Sequence, residues 1–403
     1  MSLFVCTMPL AMVPDVAWDR CLPDRAESHA YYCACETAQP EHVHHHAMTV
    51  ADEAGLVAVA PTFRMHYDLH TPFQGGWLTR PLRALARVQP NLLRLPVIGL
   101  GSPFAEQAHL GFSPDISTTR KYEAAARLLD GIECDAERHN IGLVAIKDIS
   151  DEDLPAFLPH FRDRGYARLA SLPSAVLHLP FRSVDDYLAS LSAATRKDMR
   201  RKLQRAGSVE IETRTDISDI ADEIYALYEE TRGSSASDYG DFEKLPPTYF
   251  TSVMSALSPR AVCVLYRVSG VLAAFNLLLI EHDRVIDKFL GMRYPLARNA
   301  NLYFISWMHN VRYCVENGKS YLQTGQGTFA NKLRLGSQLE PLHIYFRHRR
   351  KVVHNLFRAA ASVVDFERLD PDLKVYRRRV AATKQKSSAN PRILESDRET
   401  QAA

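Results

Sequence analysis

The sequence contains no run of about 18 consecutive apolar residues, the length that a helix needs to cross a bilayer. It also lacks the motifs HExxH, GxGxxG and GxxxxGKS or GxxxxGKT. These absences argue against a membrane span, a zinc peptidase, a dinucleotide-binding Rossmann enzyme and a P-loop kinase. Residues 1–13 are apolar, but no Lys or Arg precedes them, so we expect a buried strand or an arm there and not a secretory signal.

An excess of charge is absent as well, since the formal net charge is only +2. DNA is therefore not an expected partner, and any basic binding site has to be local. The seven cysteines show no repeated CxxC spacing, which is typical of a reducing compartment and predicts a cytoplasmic protein. Cys33 and Cys35 lie near the histidines of residues 42–46, but their spacing matches no closed zinc pattern, and we expect no metal.

The composition is that of a globular protein, with 46% hydrophobic and 24% charged residues in 403. A chain of this length predicts two folded units. Turn formers and the histidines interrupt every periodic run in residues 1–60, so we expect an irregular segment there. The pattern then indicates α/β domains at 61–175 and 176–350, a helical extension at 351–379 and a disordered tail at 380–403.

A meander of three strands is the clearest structural signal. Its strands are Ala261–Arg267, Val271–Ile280 and Val285–Arg293, and its two-residue turns are Ser269-Gly270 and His282-Asp283. After the meander we expect a helix over 301–315, a strand over 319–323 and a closing strand over 342–347.

A basic helix precedes the meander. Ser183 and Asp186 form a start signal similar to a capping box, and the helix runs into residues 196–205, where six of ten residues are basic. This local patch is suited to tRNA, an acyl carrier protein or an anionic membrane surface as a partner. Alternatively, it is a solvated helix that pairs with acidic neighbours.

Three local patterns, in their order along the chain, resemble one superfamily. They lie at residues 186–202, at Tyr225–Thr231 and at Gly325–Gly336. Together they resemble the GNAT superfamily, and within it the Fem-like and BioF2-like acyltransferase families. The resemblance implies an α/β (α+β) fold of two GNAT-like domains in tandem. Each domain would have a mixed, mostly antiparallel central sheet flanked by helices, with the N-terminal copy degenerate.

The resemblance also implies where a donor would bind. In such a fold the fourth strand, here Val285–Arg293, splays from the fifth, here 319–323, and the opening receives the pantetheine arm of acyl-CoA or of an acyl carrier protein. The following turn would hold a diphosphate. The cofactor-binding residues expected there are Met292, Arg293, Arg298, Asn299, Ala300 and Asn301. The glycine-containing loop of typical acetyl-CoA enzymes is absent, and two arginines at a solvated turn are the alternative.

For amine acylation, a base must take a proton and donors must face the developing negative charge. Asp287 on the presumed fourth strand is the expected base, with an exposed strand carboxylate as the alternative. Tyr321 or Gln326 would donate to the oxyanion or to the leaving group. The expected substrate-binding residues are Lys332, Arg334, Asn276 and Tyr228. For Lys332 and Arg334 the alternative is surface charges on a short helix.

Three functions follow from these expectations. The first is an N-acyltransferase that moves an acyl group from acyl-CoA or an acyl carrier protein to the amine of a small molecule or peptide. The second is a Fem-type ligase that uses aminoacyl-tRNA to form a peptide bond on a cell-wall precursor or a small metabolite. The third is a scaffold without catalysis.

Overall fold

The structure is a computed structural model that describes residues 2–38, 42–68, 94–204, 209–234, 244–363, 370 and 372–376. The predicted tail at 380–403 lies outside these ranges. The strands of the first half are β1 (Phe4–Met8), β2 (Val43–Asp52), β3 (Gly55–Asp68), β4 (Arg94–Leu100), β5 (Gly111–Phe112), β6 (Leu143–Ser150) and β7 (Ala167–Ala170). Its helices are α1 (Asp15–Cys21), α2 (His29–Thr37), α3 (Thr118–Arg138) and α4 (Leu154–Asp163).

The second half contains the remaining elements. Its strands are β8 (Ser174–His178), β9 (Val209–Arg214), β10 (Ala261–Val268), β11 (Val271–Ile280), β12 (Arg284–Met292), β13 (Tyr321–Gln323), β14 (Gln338–Glu340) and β15 (Leu342–His348). Its helices are α5 (Val184–Ser190), α6 (Ala193–Leu203), α7 (Ala221–Ser234), α8 (Tyr249–Leu257), α9 (Leu296–Asn299), α10 (Leu302–Glu316), α11 (Phe329–Arg334) and α12 (Lys351–Val363).

Serine side chains start several helices. Ser183 Oγ accepts the backbone N–H of Asp186 at 3.0 Å and begins α5, which confirms the predicted cap. The predicted basic helix is divided in two, however. Ser192 lies between α5 and α6, and its Oγ accepts the N–H of Thr195 at 3.2 Å, so that a second helix begins there.

Residues before 60 are more regular than the sequence indicated, because they contribute β1, β2 and the start of β3. In β2 the side chains alternate between the two faces: His44 is exposed, whereas His45 is buried and its Nε2 lies 3.2 Å from Ser102 Oγ. A buried histidine breaks the apolar and polar alternation by which a strand is recognised from sequence. The composition of β2 therefore did not indicate a strand.

The strands form two sheets. The first half contains an eight-stranded sheet in the order β1-β2-β3-β4-β6-β15-β7, with β5 added beside β3. The second half contains a seven-stranded sheet in the order β14-β8-β13-β12-β11-β10-β9. The predicted meander is confirmed as β10-β11-β12, and its first turn has positive φ at Ser269 (52°) and Gly270 (77°), as a type I′ turn requires. The fold class is thus mixed α/β with two mostly antiparallel sheets.

One strand of the second half lies in the first sheet. β8 follows β7 in the chain but lies in the second sheet, between β13 and β14. β15 follows β14 but lies in the first sheet, between β6 and β7. The strand at 342–347, which we expected to close the second domain, therefore completes the first sheet. The first sheet is thus incomplete without a strand of the second half.

We expect β15 to carry much of the stability of the first half. Tyr345 on β15 is buried and stacks on Phe161 of α4 with ring centroids 4.2 Å apart. Tyr345→Ala should lower the free energy of unfolding by about 3–5 kcal/mol, because it leaves a cavity the size of a ring. Urea denaturation measures the change. Tyr122→Ala removes the same atoms from an exposed position on α3, and an equal loss in both variants would contradict the prediction.

Candidate active site

Strands β12 and β13 lie side by side for a short distance only. They run parallel, and their paired residues are Arg284 with Tyr321, Val285 with Leu322, and Ile286 with Gln323. β12 then continues to Met292, whereas β13 ends at Gln323. On the side away from β11, β12 has no described strand beside it from residue 287 onward. This is the opening expected from the sequence.

Hydrogen bonds explain why the two strands separate. After β13 the chain follows β8, since Thr324 N–H donates to Ala175 O at 2.8 Å and Ala175 N–H donates to Gly325 O at 3.3 Å. Gly325 has φ +80°, which favours glycine at this turn. Beyond Gln323 the chain is therefore held by β8 and not by β12.

A bulge in β12 contributes from the other side. Leu278 pairs with Asp287 and Leu277 with Phe289, so Lys288 is the extra residue. The Lys288 ammonium is buried against the first half, where it pairs with Glu27 and donates to Phe104 O at 2.6 Å. This contact fixes the bulged strand against the first sheet.

The opening leads into a cavity of about 930 Å³ between the two halves. The wall from the first half is mainly apolar and includes Phe63, Val97, Leu143, Ala145, Leu169 and Leu172. Polar groups come from both halves. The first half also contributes Glu106, Lys147, Asp148 and Ser171, and the second half contributes Asp287, Tyr303, Ser306, Gln326 and Lys332. A ligand in this cavity would meet apolar side chains of the first half and polar groups of both halves.

Asp287 lines the cavity and is half-buried. Burial raises its pKa to about 6, against the lowering effects of the Lys332 cation and of the nearby Asn276 and Asn310 amides, while the Glu106 carboxylate raises it further. Asn310 Nδ2 on α10 donates to Asp287 Oδ2 at 3.1 Å. A carboxylate of this pKa is ionised at neutral pH and is a stronger base than an ordinary aspartate.

The side chains of Lys332, Glu106 and Asp287 form a cluster of three charges. Lys332 on α11 is buried, and its Nζ donates to Thr324 O and, at 3.0 Å, to Gly325 O. Burial lowers its pKa to about 8, although Glu106 and Asp287 raise it. Glu106 comes from the loop after β4, and its Oε2 accepts Ser174 Oγ at 2.8 Å and Gln323 Nε2 at 3.0 Å. The two halves therefore both supply charged groups to one site.

Tyr303 on α10 was not predicted from the sequence. Its Oη is buried, has no hydrogen-bond partner among the residues that the structure describes, and belongs to a side chain that lines the cavity. Burial, with the Asp287 carboxylate as the next cause, raises its pKa well above the usual value, so the hydroxyl keeps its proton. Such a group is a hydrogen-bond donor beside the cavity whose bonding capacity is not used by a described residue.

The two predicted donors have different positions. Gln326 lines the cavity, although its Nε2 already donates to Leu172 O at 2.6 Å. Tyr321 lies at the paired end of β13, does not line the cavity, and stacks on His178 with centroids 5.2 Å apart. Tyr321 thus lies apart from the cavity, because the strands separate only after Gln323.

The fold places the other three predicted substrate-binding residues in three different environments. Tyr228 lines the cavity and contacts Phe289 edge-on at 5.6 Å. Asn276 is buried beneath Asp287 on β11 and does not line the cavity. Arg334 is on the outside, where its Nη2 lies 2.8 Å from Asp198 Oδ2. This ion pair joins α11 to α6.

The turn after β12 only partly matches the expected cofactor-binding set. Met292 lines the cavity, and its N–H donates to Thr231 Oγ1 of α7 at 2.6 Å. Arg293 Nε is buried without a partner in the described ranges, while Arg298 lies over the ring of Tyr294 at 5.3 Å. Asn299 ends α9, Ala300 follows it, and Asn301 precedes α10 in a left-handed conformation.

The basic patch is smaller than its sequence suggests. Asp198 on α6 accepts ion pairs from Arg201 at 2.8 Å, Lys202 at 2.9 Å and Arg334 at 2.8 Å. These hydrogen bonds, that of Lys202 foremost, lower the Asp198 pKa to about 2. Lys197 and Arg200 remain exposed and make no ion pair with a described residue.

Within the described ranges, no group of three or more His, Cys, Asp or Glu side chains is arranged to hold a metal ion. In the same ranges, no helix has both the length and the apolar character needed to cross a membrane.

Comparisons with known proteins agree with this geometry. Residues 193–333 match the family described as the acetyltransferase (GNAT) domain, and no curated protein matches the chain. The crystal structure of FemX has the same fold, with a TM-score of 0.57, 11% identity, and coverage of 89% of this chain and 100% of that chain.

Two other solved structures are less similar. A tandem GNAT protein from the clavulanic acid biosynthesis pathway has a TM-score of 0.49 and 11% identity, over 87% of this chain and 99% of that chain. The C-terminal domain of a putative lysylphosphatidylglycerol synthetase from Agrobacterium fabrum has a TM-score of 0.47 and 14% identity, over 86% and 96%. Residues 193–333 thus match a GNAT domain, and the fold of the chain is similar to that of FemX.

Proposed function

We propose that this protein is an N-acyltransferase that moves an acyl group from a thioester, acyl-CoA or an acyl carrier protein, to an amine. The observation that carries the proposal is the separation of β12 from β13 directly before Asp287. The free strand edge can pair with the amides of a pantetheine arm, as an added strand would. This position brings the thioester to the cavity in which Asp287, Tyr303 and Lys332 meet.

In the proposed reaction, Asp287 and Tyr303 each have one role. The amine nitrogen attacks the thioester carbon, the C–N bond forms, and the C–S bond breaks. Asp287 takes the proton that the amine loses, because its pKa of about 6 leaves it ionised at neutral pH. Tyr303 Oη donates to the leaving sulfur or to the carbonyl oxygen.

Tyr303→Phe tests this assignment. It removes one hydrogen-bond donor and leaves the ring in place, so we expect kcat to fall about 10²-fold, with a small change in KM. Acyl transfer can be followed through release of the free thiol. Tyr313→Phe on the same helix is the matched control, since Tyr313 does not line the cavity. Equal activity in both variants would rule out a role for Tyr303.

The donor is identified by binding. A ligand that binds only the native protein raises its melting temperature, so acyl-CoAs of increasing chain length and acylated carrier protein are compared by thermal shift. We expect an acyl thioester to raise the melting temperature. When an amine is then added, a mass spectrum should show the acylated amine. No response to either class of donor would refute the proposal.

One observation favours a second candidate, the ligase that uses aminoacyl-tRNA. Lys197 and Arg200 are adjacent exposed cations on α6 without an ion pair in the described part of the chain. Phosphate contacts release counterions, so tRNA binding would weaken steeply with salt, whereas binding of a thioester would change much less. Salt titrations with charged tRNA and acyl-CoA separate the two candidates. A scaffold without catalysis would give product with neither donor.

A further inference from the structure

Helix α12 (Lys351–Val363) exposes an apolar stripe. Val352 and Leu356 lie one turn apart and are 81% and 65% exposed. The adjacent stripe, which contains Phe357 and Ala361, packs against the first half and also lines the cavity. Both stripes of this helix are thus apolar, although only one of them has a partner among the described residues.

Cations surround the exposed stripe. From Pro341 to Val364 the sequence contains no Asp or Glu. Arg349, Arg350, Lys351 and Arg358 are exposed and make no ion pair with a described residue, whereas Arg347 pairs with Glu133 at 2.9 Å. The surface of α12 therefore combines uncompensated positive charge with exposed aliphatic side chains.

We propose that α12 is a docking helix for an anionic lipid surface. The boundary between lipid headgroups and acyl chains accepts aliphatic side chains and attracts cations, and α12 offers both on one side. RNA would attract the cations but would not bury Val352 and Leu356. The lipid surface matches both features.

The position of α12 gives this docking a consequence. Phe357, Ala360 and Ala361 of the same helix line the cavity. A helix is about 10 Å across, so the docked surface would lie within that distance of the cavity wall. An amphiphilic substrate could then move from the lipid layer to the cavity over a short distance.

Vesicle sedimentation with the full chain tests the docking. We expect binding to vesicles of phosphatidylglycerol with phosphatidylcholine, and much weaker binding to pure phosphatidylcholine or at high salt. Val352→Ser combined with Leu356→Ser should weaken binding at least about 10-fold, because two aliphatic side chains no longer enter the lipid. Arg350→Gln combined with Lys351→Gln should weaken it about 25-fold, at about 5-fold for each cation.

Matched controls come from elsewhere on the surface. Val16→Ser replaces an aliphatic residue that is 78% exposed on α1, and Lys197→Gln combined with Arg200→Gln removes two exposed cations of α6. Both should bind vesicles as the unmodified protein does. Equal weakening by the α6 variant would indicate attraction by overall charge and would overturn the proposal.

Two other results would also overturn it. One is the absence of vesicle binding. The other is concentration-dependent self-association that the Val352 and Leu356 substitutions abolish, since the apolar stripe would then contact a second copy of the chain. The assay contains neither donor nor acceptor, so its outcome is independent of the acyltransferase proposal.

Discussion

Asp287→Asn should reduce the rate of acyl transfer by about 10²–10⁴-fold, because the amide cannot accept the proton that the attacking amine releases. For the unmodified protein, the rate divided by the concentration of unprotonated acceptor amine should rise about tenfold per pH unit below pH 6 and level off above it, since the pKa of Asp287 is about 6 and the ionised form is the base. The residual rate of the variant should not show this acidic limb. Initial rates from pH 5 to 8 measure both effects.

The same substitution should not destabilise the fold. The native pKa of Asp287 lies above its ordinary value of 3.8, so ionisation of the carboxylate costs stability as the pH rises from about 4 to above 6. Asparagine carries no charge, and the variant should melt at an equal or higher temperature at pH 7.5. Asp283→Asn, in the exposed turn before β12, is the matched control and should keep full activity. If Asp287→Asn were fully active, Asp287 would not be the base.

Lys332→Met should affect both the pH profile and stability. The Lys332 cation is the largest influence that lowers the Asp287 pKa, so its removal should move the acidic limb of the rate profile to higher pH. The variant should also lose about 3–5 kcal/mol of unfolding free energy, because Glu106 and Asp287 remain as buried like charges. The pH dependence of the initial rate measures the shift of the acidic limb, and urea denaturation measures the loss of unfolding free energy.

Glu106→Gln should have the opposite effect on the profile. The Glu106 carboxylate raises the pKa of Asp287, so its neutralisation should move the acidic limb to lower pH. Glutamine keeps an oxygen that can accept from Ser174 and Gln323. In the Lys332→Met background, this second substitution should restore part of the lost stability, because one of the two like charges is removed. Simple addition of the two single effects would show that Lys332 and Glu106 are not coupled.

Local patterns in the sequence predicted much of the second half. Strand alternation and the Ser269-Gly270 turn gave the meander, and apolar periodicity gave α10. Asp287 followed from the resemblance, which identified β12 as the strand that separates from its neighbour. These features depend on residues that are close in the chain.

Features that depend on distant residues could not be predicted in this way. Glu106 reaches the site from the first half, and nothing near it in the sequence distinguishes it from a surface glutamate. Tyr303 lies on an apolar helix and looks like a core aromatic until the cavity beside it is known. Tyr321 was chosen because it is on β13, but the strands separate two residues later. In each case the deciding fact is a tertiary contact.

The position of β15 in the first sheet also has a consequence for synthesis of the chain. The first sheet needs Leu342–His348, so 341 of the 403 residues must be made before β6 and β7 can acquire the strand that lies between them. Until then the nascent chain exposes unpaired strand edges, which are prone to pair with other chains. We therefore expect the first half, translated alone, to aggregate, and the two halves to become soluble when they are translated together.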